Sequence, residues 1–153
     1  MYVRAIPADP ARLWVHPYPG TIDQVRRVRA AVRELLGESP VADDAVHLLS
    51  ELSANAIAHS DSGNRGGEFT VRVQHLPDSC VWGEVEDQGS TWDGNLSRSA
   101  SHPHGLYLLE RLASDCGVER IMRVHVVWFR IDYPSPRLLA APSTHHAGEH
   151  VPR

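Results

Sequence analysis

The segment VADDAVHLLSELSANAIAHS, residues 41–60, constrains the fold more than any other part of the sequence. Its apolar residues recur at helical spacing, which predicts a helix with one buried face. Those residues are Val46, Leu49, Leu52, Ala56 and Ile57. Another side of the same helix carries polar side chains at intervals of four, and residues four apart share a face. We call these residues the polar stripe: His47, Glu51, Asn55 and His59.

The polar stripe has three interpretations. The first is a solvated helix face, which is the commonest origin of such a pattern. The second is a metal site, although two His at i and i+4 are missing because His47 and His59 are about three turns apart. The third is a magnesium-nucleotide site, in which a carboxylate polarises an attacking oxygen and an amide oxygen completes the magnesium shell. The stripe alone does not choose among them.

The N-terminal part of the chain predicts one strand and one further helix. Residues 12–18 alternate well enough for an edge strand, which Pro17 and Pro19 should stop. Residues 21–37 predict an amphipathic helix capped by Thr21 and ended by a glycine. Its apolar side consists of Ile22, Val25, Val28, Val32 and Leu35 or Leu36.

The remaining elements place the chain in the α+β class. GEFTVRVQHL and SCVWGEVED predict a hairpin around a Pro-Asp turn, and residues 88–104 predict a long surface loop of the kind that often forms a lid. GLYLLERLASDCG predicts a helix and RVHVVWFRIDY a final strand. Clustered strands and helices favour a two-layer α/β sandwich. We expect one domain over residues 1–133 and a mobile tail over 134–153.

Composition excludes several classes of protein. All 15 basic residues are arginine, and without lysine neither a P-loop nor a eukaryotic-type protein kinase can be built. A net charge of -4 disfavours direct binding of nucleic acid. The sequence shows no membrane-spanning run and no signal peptide, which predicts a cytoplasmic protein. Cys80 and Cys116 lack metal-site spacing and are expected to be buried free thiols.

Two motifs downstream of the polar stripe favour the nucleotide interpretation. Asp87 ends a predicted strand and can accept a hydrogen bond from an exocyclic amine, while Gly89 lets a flat ring approach the backbone. A helix that begins just after Gly105 presents free N–H groups and a positive dipole end, which can bind phosphates without lysine.

These residues carry a family resemblance. ELSANAIAHS resembles the N-box of the GHKL ATPase superfamily, DQG its first glycine box and HGLYLL its second, in the same order. Within that superfamily, residues 12–132 are most similar to the bacterial anti-sigma factor serine/threonine-protein kinases. The resemblance implies the Bergerat fold, a two-layer sandwich with a mixed sheet covered on one face by helices.

The resemblance also implies roles for individual residues, with ATP and Mg2+ as cofactors. Glu51 would be the catalytic base and Asn55 would hold the magnesium ion. Asp87 would recognise the adenine amine and Gly89 would make room for the ring. The phosphates would be bound by His104, Gly105 and Leu106. The implied partners are a sigma factor and an anti-anti-sigma protein of the STAS type, without membrane or nucleic acid, and a homodimer is common in the family.

The sequence departs from the family pattern at two places. Pro103 replaces the first glycine of the second glycine box, which should weaken closure of the lid, although Arg98 and His102 could supply phosphate contacts. On the last strand, Val124-His125-Val126 stands where the family often has a threonine, so adenine should lose one polar partner.

Two other functions remain open beside the kinase. The first is a partner-switching module that keeps the fold and binds regulators without phosphotransfer. The second is a metal hydrolase that uses His47, Glu51 and His59. The altered lid favours the binding module, whereas the intact Glu51 and Asn55 favour the enzyme.

Overall fold

The computed structural model describes residues 12–89 and 104–135. In chain order, the elements of these ranges are β1 (Leu13–Pro19), α1 (Gln24–Leu36), α2 (Ala42–His59), β2 (Glu68–Leu76), β3 (Cys80–Asp87), α3 (His104–Leu112), β4 (Asp115–Ile121) and β5 (Val124–Asp132). A 3₁₀ turn, Asp61–Gly63, follows α2. The strands form one sheet in the order β1-β2-β3-β5-β4. The predicted α+β class with a helix layer on a sheet is confirmed.

The core lies between the sheet and the helices. Because side chains alternate across a strand, every second residue of β2 faces the helices, and Phe69, Val71 and Val73 are all buried. They belong to one apolar cluster with Val28 and Val32 of α1. The predicted core residues of α2 join the same cluster: Val46, Leu49, Leu52 and Ala56, with Ile57 partly buried against it. The apolar faces read from the sequence therefore identify the core.

The predicted hairpin forms as β2 and β3, paired antiparallel from Thr70 opposite Glu86 to Leu76 opposite Cys80. Ser79 donates its N–H to the Leu76 carbonyl at 3.1 Å, which closes a turn with Pro77 and Asp78 at its centre. Asp78 has φ 64°, as a type II turn requires at its third residue. The Pro-Asp pair thus fixes the register of the two strands.

The first strand continues further than its prolines predicted. β1 runs through Pro17 and ends at Pro19. It is an edge strand, paired with β2 alone, so prolines without an N–H can occupy it with their nitrogen directed away from the partner. The prediction of an edge strand was correct, and so was its end at Pro19, but Pro17 does not stop it.

The start of α1 also differs from expectation. The helix begins at Gln24 with Asp23 at the N-cap position, and Asp23 makes no capping hydrogen bond through its side chain. Thr21 lies in the preceding turn, where its carbonyl accepts from the Gln24 N–H at 3.0 Å. Ile22 therefore precedes the helix and is exposed, so its predicted burial was wrong. The predicted apolar face holds from Val25 onward.

One strand was missed, and its omission explains an error in the predicted sheet. β4 is a half-buried edge strand with the sequence DCGVERI, which lacks the apolar alternation of the other strands. It reverses the chain after α3, so β5 runs antiparallel to β3. Every neighbouring pair of the five strands is antiparallel, where a mixed sheet was expected.

Both cysteines are free thiols, as predicted. Cys80 is buried, whereas Cys116 on β4 is only partly buried. Partial burial raises the pKa of the Cys116 thiol, and the charges of Asp115 and Glu110 raise it further. The Cys116 thiol is therefore not activated as a nucleophile.

Parts of two predictions fall outside the described residues. These are the loop from residue 90 to 103 and the tail beyond residue 135. Within the ranges 12–89 and 104–135, none of the helices has both the length and the apolar character that crossing a lipid bilayer requires.

Candidate functional site

The polar stripe lies on α2, as the sequence predicted. The opposite side of this helix supplies fully buried core residues, among them Leu48 and Leu49. Glu51 is partly exposed, with 35% of its side chain accessible, and His47 is about half exposed. His47 Nε2 lies 3.9 Å from Glu51 Oε1, one helical turn away. The carboxylate of Glu51 is therefore held on the helix surface, where another molecule can reach it.

The C-terminal end of α2 is joined to the loop that follows β3. The N–H of Asp61 donates to the Gly89 carbonyl at 2.8 Å. The N–H of Gln88 donates to Ser62 Oγ at 2.9 Å, and Ser62 is itself buried. These two hydrogen bonds join the turn after α2, the helix of the polar stripe, to the Asp-Gln-Gly motif, although about thirty residues separate the two segments in the sequence. Sequence reasoning did not identify Asp61 or Ser62 as part of this connection.

Gly89 is required at its position for two reasons. Its φ of +85° lies in the left-handed region, which side chains other than glycine rarely adopt. A Cβ atom there would also lie 1.7 Å from the carbonyl oxygen of Arg123, which belongs to the turn between β4 and β5. The predicted role of Gly89 was to make room for a flat ring. The structure adds that Gly89 packs the site loop against the neighbouring hairpin.

Asp87 carries a largely buried carboxylate whose pKa is raised. Only 13% of its side chain is exposed, and Gly89 donates its N–H to Asp87 Oδ1 at 2.7 Å. Burial raises the pKa of Asp87, an effect that the Gly89 N–H and the charge of His125 partly oppose. A buried carboxylate with few donors around it is a good acceptor for an amine, so the residues fit a nucleobase with an exocyclic amino group.

His125 is a residue to which the sequence analysis gave no role. It lies opposite Asp87 in the β3–β5 ladder. Its Nδ1 atom is 3.5 Å from Asp87 Oδ1, and its side chain is 1% exposed. Its alternation with Val127, Phe129 and Ile131 along β5 indicates this orientation, but only the strand register shows which residue it meets.

The helix that was predicted to begin just after Gly105 is present as α3, and it begins slightly earlier. α3 starts at His104, so the backbones of His104, Gly105 and Leu106 form its first turn. The first N–H groups of a helix have no partner within the helix and attract anions. α3 packs against α2, which places this turn in the helix layer that also carries the polar stripe. Arg98, His102 and Pro103 lie outside the described residues.

The metal hydrolase interpretation finds no support in the described part of the chain. There, no three His, Cys, Asp or Glu side chains are close enough together to hold a metal ion. His47 and Glu51 are neighbours, but His59 lies at the far end of α2. Asn55 occupies the stripe between them and is half-buried. Its amide oxygen suits magnesium, which takes most of its ligands from water and phosphate.

The chain belongs to the family of histidine kinase-like ATPase domains. The profile of that family matches residues 18–131, which include both the polar stripe and the Asp-Gln-Gly motif. No protein with curated annotation matches the chain. The GHKL resemblance drawn from the N-box and glycine boxes is therefore confirmed at the level of the family.

Two solved structures share the fold. The RsbU and RsbW domains of Rv1364c from Mycobacterium tuberculosis match with 24% identity and a TM-score of 0.60, over 80% of this chain and 32% of that one. SiaB in the SiaB-SiaC complex from Pseudomonas aeruginosa is similar, since that structure matches with 14% identity and a TM-score of 0.57, over 80% and 91%. This chain spans about a third of the length of the Mycobacterium tuberculosis chain. At these identities the likeness concerns the fold.

Proposed function

We propose that this domain binds ATP with magnesium, captures a sigma factor or a similar partner, and phosphorylates a serine on a STAS-type antagonist of that partner. One observation carries the proposal: the 3₁₀ turn that follows α2, the helix of the polar stripe, is hydrogen-bonded through Asp61 and Ser62 to the loop that holds Gly89 and follows Asp87. Membership of an ATPase family supports the nucleotide. A neighbour solved as a SiaB-SiaC complex supports a protein partner.

The nucleotide would be held at both of its ends. Asp87 accepts a hydrogen bond from the adenine amine, and Gly89 keeps the adjoining backbone close enough for the ring to stack against it. The first turn of α3 offers backbone N–H groups to the phosphates, which compensates for the absence of lysine. Magnesium neutralises phosphate charge when bound, and Asn55 is the residue that would hold it.

Glu51 is placed to act as the general base. It accepts the proton of the partner's serine hydroxyl as the serine oxygen bonds to the γ-phosphorus and ADP leaves with the electrons of the broken P–O bond. Its partial exposure allows a serine on a separate protein to reach it. Positioning of the two reactants supplies most of the rate in such a transfer.

The test is transfer of labelled phosphate from ATP to purified STAS-domain proteins of the same genome, with Glu51→Gln as the matched variant. Glutamine keeps the size of the side chain and removes the base. The proposal expects label on a serine with the wild type and its loss with the variant. Equal labelling by both proteins would contradict the role of Glu51.

A second candidate function is a partner-switching module that binds regulators without transferring phosphate. The observation that favours it is Pro103, which removes a backbone donor and fixes φ at the first position of the second glycine box. This module would bind ATP and the STAS protein, and no phosphate would reach the serine. The labelling experiment, combined with a binding measurement on the same proteins, separates the two functions.

A further inference from the structure

His125 is an unusual residue for the interior of this sheet. It stands directly opposite Asp87 in the β3–β5 ladder and is 1% exposed. The residues that follow it on the same face of β5 are apolar core residues. Burying an imidazole among such side chains costs free energy unless a polar group nearby compensates. The carboxylate of Asp87, with its Oδ1 atom 3.5 Å from Nδ1, is such a group.

Three contacts from two segments limit the orientation of the Asp87 carboxylate. The N–H of Gly89 donates to Oδ1 at 2.7 Å from the loop side. From the neighbouring strand, the backbone of His125 also hydrogen-bonds to the carboxylate, and the His125 imidazole lies against Oδ1. The distance of 3.5 Å exceeds that of a strong hydrogen bond, so this contact can shorten when a ligand binds.

We propose that His125 is a positioning residue for base recognition, which orients the Asp87 carboxylate toward the exocyclic amine of the nucleobase. The inference rests on the proposed nucleotide function and names a residue that determines its specificity for adenine. His125 acts through Asp87 and does not itself contact the reacting atoms.

Other charged groups near this pair leave the assignment unchanged. Arg120 of β4 pairs with His125 across the strands but is exposed. Asp61, in the turn after α2, acts on Asp87 as a like charge. Gly89 supplies an uncharged donor. Among these groups, His125 is the one whose buried side chain lies against Asp87.

The test compares two nucleotides that differ in the amine alone. ATP and purine riboside triphosphate, which lacks the 6-amino group, are titrated calorimetrically into the wild type and into His125→Ala and His125→Asn. A hydrogen bond to a charged acceptor gives the wild type a preference for ATP of about 10-fold or more. In His125→Ala we expect this preference to fall to about 2-fold, whereas the amide donor of His125→Asn restores part of it.

The ratio of the two affinities separates positioning from a general structural effect. A variant that merely loosened the strand would weaken both nucleotides equally and keep the ratio, and that result would overturn the inference. His75→Asn serves as the control, because His75 lies at the other end of the sheet against the hydroxyl of Tyr133, and it should keep the ratio. Wild-type protein that binds neither nucleotide would instead overturn the proposed function itself.

A second measurement covers variants that fail to fold. The imidazole nitrogen resonances of His125 are recorded in the wild type with each nucleotide. We expect ATP to shift them more than purine riboside triphosphate does, because the amine draws the carboxylate into a fixed orientation. Equal shifts with the two nucleotides would contradict the role of His125.

Discussion

The two ends of the proposed nucleotide site differ in how they are built. At the base end, Asp87 and His125 are buried side chains on neighbouring strands, and Gly89 is packed against a carbonyl. At the phosphate end, Glu51 and His47 lie on the surface of α2, partly open to solvent. The base end is thus preformed and rigid, whereas the phosphate end is accessible to a second protein. A domain that must hold a nucleotide and also meet a protein substrate requires both properties.

The largest effect is expected at Glu51, in the solvent-accessible phosphate end of the site. Its substitution should lower the rate of phosphotransfer and leave nucleotide binding and stability unchanged. Glu51→Gln removes the proposed base without a change in size, and general base catalysis contributes about 100- to 10,000-fold to a rate. We expect the rate of phosphotransfer to fall by that factor while the affinity for ATP and the melting temperature stay within error. Single-turnover kinetics and calorimetry measure the two quantities separately. A large loss of stability would show that Glu51 belongs to the rigid region.

The next largest effect should come from the rigid end. In Gly89→Ala, the new methyl group meets the Arg123 carbonyl and the backbone is held at a positive φ, so the loop must shift. We expect a loss of about 2–4 kcal/mol in the free energy of unfolding, together with a loss of nucleotide binding. Urea denaturation monitored by circular dichroism measures the stability.

Gly66→Ala is the matched control for this substitution. Gly66 also has a positive φ, +77°, but a Cβ atom there meets nothing within 4 Å. It should therefore cost about 1 kcal/mol, from backbone conformation alone. Equal losses at the two glycines would show that the site loop is not packed against the hairpin as described.

At Asp87 we expect a smaller change in the free energy of unfolding, and a gain in place of the loss expected at Gly89. Burial raises the pKa of Asp87 above its ordinary value, so between these two values the folded state binds more protons than the unfolded state. The contribution of Asp87 to stability consequently falls as the pH rises through this window and stays low at neutral pH. Asp87→Asn should then raise the free energy of unfolding at pH 7 by about 1 kcal/mol, although it removes nucleotide binding.

The pH dependence provides the check on this prediction. The difference in unfolding free energy between Asp87→Asn and the wild type should be close to zero below the ordinary pKa of an aspartate and positive at pH 7. Denaturation without nucleotide at several pH values measures it. A variant that is less stable than the wild type at neutral pH would mean that the ionised carboxylate stabilises the fold. Burial of Asp87 would then not reduce the stability of the domain.

The smallest effect should be found at His47. Its ring is about half exposed and lies 3.9 Å from Glu51, and exposed pairs of this kind contribute little. His47→Ala should change the free energy of unfolding by less than about 0.5 kcal/mol. A change well above that value in a denaturation experiment would show that the surface of α2 is more tightly coupled to the fold than its exposure indicates.

The sequence predicted the fold best where a single element carries its own pattern. The spacing of Val46, Leu49 and Leu52 predicted α2, and Pro77 with Asp78 predicted the hairpin turn. Errors arose where position in the sheet overrides local preference. Prolines are tolerated in β1 because it is an edge strand. β4 was not predicted, because an edge strand need not be strongly apolar.

The candidate site shows the same division. The resemblance to known motifs placed Glu51, Asn55, Asp87 and Gly89 on the elements where the structure has them. It could not show that His125 lies opposite Asp87, because that contact depends on the register of two strands that are far apart in the sequence, with α3 and β4 between them. Nor could it show that Gly89 packs against the turn between β4 and β5, since β4 itself was not predicted.

The most direct test of ATP binding through Asp87 is a calorimetric titration of ATP and magnesium into the wild type and into Asp87→Asn. Each protein is first shown to be folded by circular dichroism. We expect saturable binding to the wild type and no binding to the variant, because the asparagine would keep its amide oxygen on the Gly89 N–H and present an NH2 donor, in place of an acceptor, to the amine of adenine. Absence of binding to folded wild-type protein at millimolar ATP would contradict the account, and so would equal affinities of the two proteins.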